Sequence, residues 1–155
     1  MDLKALQDTP PWDWPRDAGK RFREILIDSR AKESDRLVAA ELAGDFTVIN
    51  DDLADTLMAI IRSVAEREQL RAQAAISLGP VLEHADTFGF EDPGDVPISE
   101  HAFSTIKDSL HALYLDNNNG KEVRRRILEH PCGLQRTGIR RRSRMHIPAE
   151  TKTGC

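Results

Sequence analysis

Cysteine is scarce: only Cys132 and Cys155 occur, both in the final stretch, so neither a disulfide framework nor a cysteine-based zinc site is expected. Free thiols suit a reducing compartment, and a cytoplasmic location is expected. Aromatic residues make up only 5% of the chain, too few to line a large aromatic cavity. No run approaches the roughly 18 apolar residues that a membrane helix needs. The opening Met-Asp-Leu-Lys-Ala-Leu-Gln-Asp lacks the basic-then-apolar order of a secretory signal, so no membrane association is expected. No stretch alternates apolar and polar residues long enough for a strand. Gly-x-Ser-x-Gly, P-loop and Rossmann glycine patterns are missing too, so no catalytic, cofactor-binding or metal residue is assigned and no cofactor is expected.

What remains is 155 residues with 39% hydrophobic and 31% charged side chains, the balance of one all-α domain with an interior of Ala, Leu, Ile and Val. The net charge of −4 is unevenly spread: residues 131–155 hold six basic side chains against Glu150, leaving 16 basic and 25 acidic residues in 1–130. An acidic body repels phosphate at long range, so nucleic acid is not expected as a partner except non-specifically through the basic tail.

Helical signals recur along the body. Ala18, Phe22, Ile25 and Leu26 mark a helix within 15–29, with Pro15 at a first-turn position. Ser34 as N-cap and Gly44 as a left-handed C-terminal glycine bracket a second helix, about four residues after the first, as in a helical hairpin. Asn50 caps a third helix with the stripe Leu53, Leu57, Ile60, Ile61 and Val64. A fourth runs from Glu66 to about His84, with a bend expected at Gly79-Pro80. Residues 85–97, rich in Gly, Pro and acids, are expected to form a loop pinned by Phe88, Phe90 and Ile98. Ser99 caps a fifth helix carrying Phe103, Ile106, Leu110 and Leu113, and Lys121 to His130 begins a sixth.

The second and fourth helices echo each other. Arg36, Ala39, Ala40, Ala43 and Gly44 return at a constant offset as Arg71, Ala74, Ala75, Leu78 and Gly79, and Val123-Arg124 with Ile127 and Leu128 starts a third copy. A fixed period of roughly 20 to 50 residues is the mark of a solenoid, in which each helix pair covers the next. The Ala pairs allow close helix approach. Leu70-Arg-Ala-Gln-Ala-Ala-Ile-Ser-Leu-Gly79 and Arg36 to Gly44 resemble the second helix of HEAT-like repeats, over roughly residues 15–130. Ser34 to Asp45 and Ala75 to Asp86 are similar, more narrowly, to bacterial HEAT-like proteins of no established activity.

The resemblance implies a short α-solenoid of about three antiparallel helix pairs; the residues outside it read as an N-terminal cap segment, 1–14, and an irregular, disordered basic tail, 131–155. One departure is that the usual aspartate five residues before the arginine is replaced by Ala31 and Glu66, which leaves the typical Asp–Arg ladder unsupported. An ordinary six-helix bundle with a chance echo is the alternative.

The third copy breaks at His130-Pro131-Cys132-Gly133. Two readings compete for residues 131–155. One is a native basic arm. The other is a shifted reading frame, because codon degeneracy lets His130–Ile139 be read as Ser-Val-Arg-Ala-Pro-Glu-Asp-Trp-His, and Met145–Gly154 as Ala-Tyr-Ser-Ser-Gly-Asp-Glu-Asp-Trp. The nucleotide sequence near codon 130 decides between them.

Other chemistry is weak. Asp86, Glu91, Asp92 and Asp95 beside His84 lack the spacing of a calcium loop, and His101 and His111 lie on different helix faces. Ser34, Asn50 and Ser99 read as helix caps rather than nucleophiles. Arg36, Arg71 and Arg124 either buttress neighbouring helices or form an anion-reading row. Trp12 and Trp14 are expected to cover the first helix pair. The function expected is a non-catalytic HEAT-like scaffold for a protein partner, with self-association through an uncovered apolar end. The alternative is a HEAT-like enzyme such as a DNA glycosylase or phycobilin lyase homologue.

Overall fold

The computed structural model describes residues 2–92, 94–116 and 119–128, and the expectations for 131–155 lie outside them. Among the described residues every regular element is helical. The elements are α1 (Leu3–Gln7), a 3-10 turn (Pro11–Asp13), α2 (Ala18–Ile27), α3 (Glu33–Ala43), α4 (Asp51–Arg62), α5 (Glu68–Phe88), α6 (Glu100–Leu115) and α7 (Lys121–Leu128). None of these helices is long and apolar enough to cross a membrane.

All the substantial packing runs between helices one or two apart in the chain. Helix α2 lies against α3 and α4, α4 against α5 and α6, and α6 against α7, while α3, α5 and α7 pack in succession with α1 on α3. The connectors α2–α3, α4–α5 and α6–α7 are each five residues long. They leave their helices through Asp28, Ser63 and Asp116 with nearly the same backbone angles, φ −82, −81 and −81° and ψ 104, 110 and 110°.

One apolar cluster runs from Leu3 to Ile127. Phe22, Leu26, Leu53, Leu57, Ile61, Leu78, Leu82 and Ile106 are almost wholly inaccessible. Ala39, Ala40, Ala43, Ala74 and Ala75 are fully buried where α3 meets α5, and the absence of larger side chains is what lets those helices close up. At the same contact the Ser77 hydroxyl donates to the Ala40 carbonyl at 2.6 Å.

The structure revises several local expectations. Gly44 is right-handed, with φ −79° and ψ −6°. It is glycine for space, since a Cβ there would lie 2.5 Å from the Ser77 carbonyl oxygen. Ser34 caps nothing: α3 begins at Glu33 behind an extended Lys32 without a side-chain cap. Asn50 and Ser99 do cap, accepting from the Leu53 and Ala102 amides. Pro15 stands outside α2 and accepts from the Ala18 amide at 3.0 Å, turning the chain into the helix. Val64 is exposed, because α4 has already ended at Arg62. Helix α5 starts two residues later than expected, is continuous through Pro80, and takes in Ala85–Phe88. The glycine and proline breakers begin only at Gly89, whose φ of 72° suits glycine and whose amide closes the helix on the Ala85 carbonyl.

Candidate interaction surfaces

Three arginines each tie one helix to the end of the helix before it. Each donates to the carbonyl of the next-to-last residue of the preceding helix, ten residues back: Arg36 to Leu26 at 2.8 Å, Arg71 to Ile61 at 2.8 Å and Arg124 to Tyr114 at 3.1 Å. Such carbonyls have no partner within their own helix, so a fixed donor meets a need already present at the helix end. The connectors crossed by these bonds are equally long.

The first two arginines also reach forward. Arg36 holds both carboxylate oxygens of Glu66 at 2.8 Å each, a bidentate pair with its side chain 11% exposed. Arg71, more deeply buried, donates to the Asn119 side-chain oxygen, whose own amide donates to the Leu113 carbonyl at 2.8 Å. Burial lowers the Arg71 pKa from its ordinary value, opposed by the charges of Glu68 and Asp116. Glu66 and Asn119 each stand five residues before the next arginine. The typical aspartate acceptor, left in doubt by the sequence, is indeed replaced: glutamate serves as acceptor for Arg36 and asparagine for Arg71. That signal was present in the sequence but masked by a search for aspartate. Arg36 and Arg71 buttress helices and are not an open anion-reading row.

The first-turn acids form a second set of contacts. Glu33 pairs with Arg67 at 2.8 Å, Glu68 accepts from the Glu122 amide at 2.8 Å, and Asp51 accepts from the Ser99 amide at 2.8 Å. Each carboxylate sits on a helix N-terminal turn and ties it to a neighbouring helix start, where negative charge is favoured.

An apolar stripe runs along the outer side of α5. Ile76, Pro80, His84 and Phe88 follow one another at four-residue steps, with Ile76 and Phe88 42% and 61% exposed. Phe46, just beyond α3 and half-exposed, joins them: its ring centroid is 5.1 Å from that of His84, which is 4.4 Å from Phe88. His84 Nε2 lies 2.7 Å from the Asp95 carbonyl, which ties the stripe to the loop. Phe88 does not pin the loop inward as expected, since it lies on the exposed side of the last turn of α5. The other two expected residues do: Phe90 packs against Phe103 at 5.5 Å and Ile98 is buried, with Val96 buried beside them in the loop.

The remaining candidates fall apart spatially. Asp86 lies 4.0 Å from Lys107, Glu91, Asp92 and Asp95 are exposed, and His101 and His111 face solvent. No group of three or more metal-capable side chains converges among the described residues. Trp14 donates its indole N–H to the Leu6 and Thr9 carbonyls at 3.0 Å and sits edge-on to Phe22, whereas Trp12 is exposed. Nothing in the residue pattern announces α1, whose Leu3 and Leu6 are buried against the core.

No family model, no curated protein and no solved structure matches this chain.

Proposed function

We propose that this chain is a short HEAT-like α-solenoid, with α2/α3, α4/α5 and α6/α7 as its antiparallel pairs, and that it works as a non-catalytic scaffold for protein binding. Recurrence carries the proposal: three five-residue connectors with matching exits, and three arginines on equivalent helix-end carbonyls. A fold built by repeating one junction presents an extended outer face, and side chains on that face select the partner. The α5 stripe with Phe46 is the best-formed patch, because aromatic and aliphatic groups already held together lose little freedom on binding.

Affinity capture with the full chain and with the double variant Phe46→Asp/Phe88→Asp tests the proposal. One protein should be recovered reproducibly by the natural chain and lost at least tenfold by the variant, with helical content unchanged by circular dichroism. Recovery of no specific protein, or equal recovery by both, would count against the scaffold role.

A further inference from the structure

Among the described residues, the repeat of junction contacts stops at α7 with one position unfilled. Arg36 and Arg71 each bind a helix-end carbonyl behind and a side-chain oxygen ahead, on the following pair. Arg124 makes the backward bond to Tyr114, and its guanidinium lies 5.4 Å from the Tyr114 ring centroid. Its Nη atoms meet no acceptor among the described residues. The first-turn contact changes as well. Glu33 and Glu68, three residues before their arginines, reach forward to the next helix start, but Lys121 holds that place before Arg124 and is exposed. The α7 end is thus cationic on a largely acidic body, beside a Leu115 that is 63% exposed at the end of α6.

From this geometry we infer that the α6/α7 end is a docking face for a further helix pair whose connecting turn carries a carboxylate, received by Arg124 with Lys121 beside it. The inference rests on the repeat reading proposed above and extends it to a particular surface. The acceptor chemistry follows from the two filled junctions, and the preference for a carboxylate over an amide from a half-buried Arg124 with the exposed Lys121 one turn before it. A second copy of this chain does not fit head to tail, because the matching place in its first connector is Ala31, followed by Lys32.

The test inserts a second copy of residues 43–88 between His130 and Pro131 of the full chain. Arg124 then stands 30 residues before the copied Glu66, the separation of Arg36 from Glu66. The inserted pair should melt with the rest in one transition, at a temperature raised by about 5 °C. Arg124→Met also removes the bond to the Tyr114 carbonyl, so it should lower the melting temperature of both chains but that of the extended chain by more, erasing most of the gain, and its effect should not add to that of Glu66→Gln in the copy. If the extended chain is stabilised but Arg124→Met leaves the gain intact, the docking inference fails and the repeat reading stands. Separate melting of the inserted pair overturns both. Sedimentation of the natural chain supplies the other check: dimers abolished by Arg124→Met would name a second copy as the occupant and overturn the assignment to an acidic hairpin.

Discussion

The junction between α2/α3 and α4/α5 and the junction between α4/α5 and α6/α7 solve one problem with different chemistry. In the first, Arg36 is partly accessible and faces a carboxylate that binds it through both oxygens. In the second, Arg71 is 5% exposed and faces an amide. Burying a carboxylate beside a buried guanidinium would add a second desolvation cost, whereas an asparagine satisfies the donor and ties itself to the Leu113 carbonyl. The geometric role is shared, and the local degree of burial sets the acceptor.

If burial separates the two junctions, truncating their arginines should have unequal effects. Arg71→Ala removes the donor of the Ile61 carbonyl and of the Asn119 side-chain oxygen in a buried site and opens a cavity, and should lower stability by about 4 kcal/mol. Arg36→Ala, with water nearby to replace some of its bonds, should cost about 2 kcal/mol. Urea unfolding of both variants measures the difference, and equal losses would break the distinction. Gly44→Ala tests the α3–α5 approach that both junctions depend on: driving a Cβ into the Ser77 backbone should cost about 2 kcal/mol. Ser77→Ala, which removes the hydroxyl that donates to the Ala40 carbonyl, should cost about 1 kcal/mol by the same measurement.

The smallest effect belongs to the exposed pair at the start of α2. The Arg21 side chain, bonded to Asp17 at 2.7 Å, lowers the Asp17 carboxyl pKa from its ordinary value. The folded value lies below the unfolded one, so this contribution is present above the unfolded carboxyl pKa and is lost as pH falls through the folded one. The chemical shift of the Arg21 side-chain N–H should follow that titration, while Asp17→Asn should leave the melting temperature nearly unchanged at neutral pH.

Much of the helical order was legible because local signals agreed. Asn50 and Ser99 cap where a side-chain oxygen precedes an apolar period. The Ala-Ala pairs marked the close contact of α3 with α5. Ser34 misled because an exposed serine inside the first turn looks the same in sequence as one before it. Gly44 misled differently: glycine serves both as a conformational device and as a gap for a neighbour, and only the position of Ser77 separates those uses. The extension of α5 to Phe88 was hidden by acids and glycines that lie beyond it. The aromatic stack was illegible for a further reason, since Phe46 lies in the α3–α4 connector and His84 on α5, and no periodicity links them.

By itself the amino-acid order determined which segments coil, where most of them stop, and that Arg36, Arg71 and Arg124 are equivalents, because those properties depend on spacing within a turn or a hairpin. Tertiary structure alone decided what the arginines reach. Glu66 and Asn119 lie 30 and 48 residues away from their donors, and a bond across that distance exists only after helix packing has brought an unmet donor and an unmet acceptor into one place.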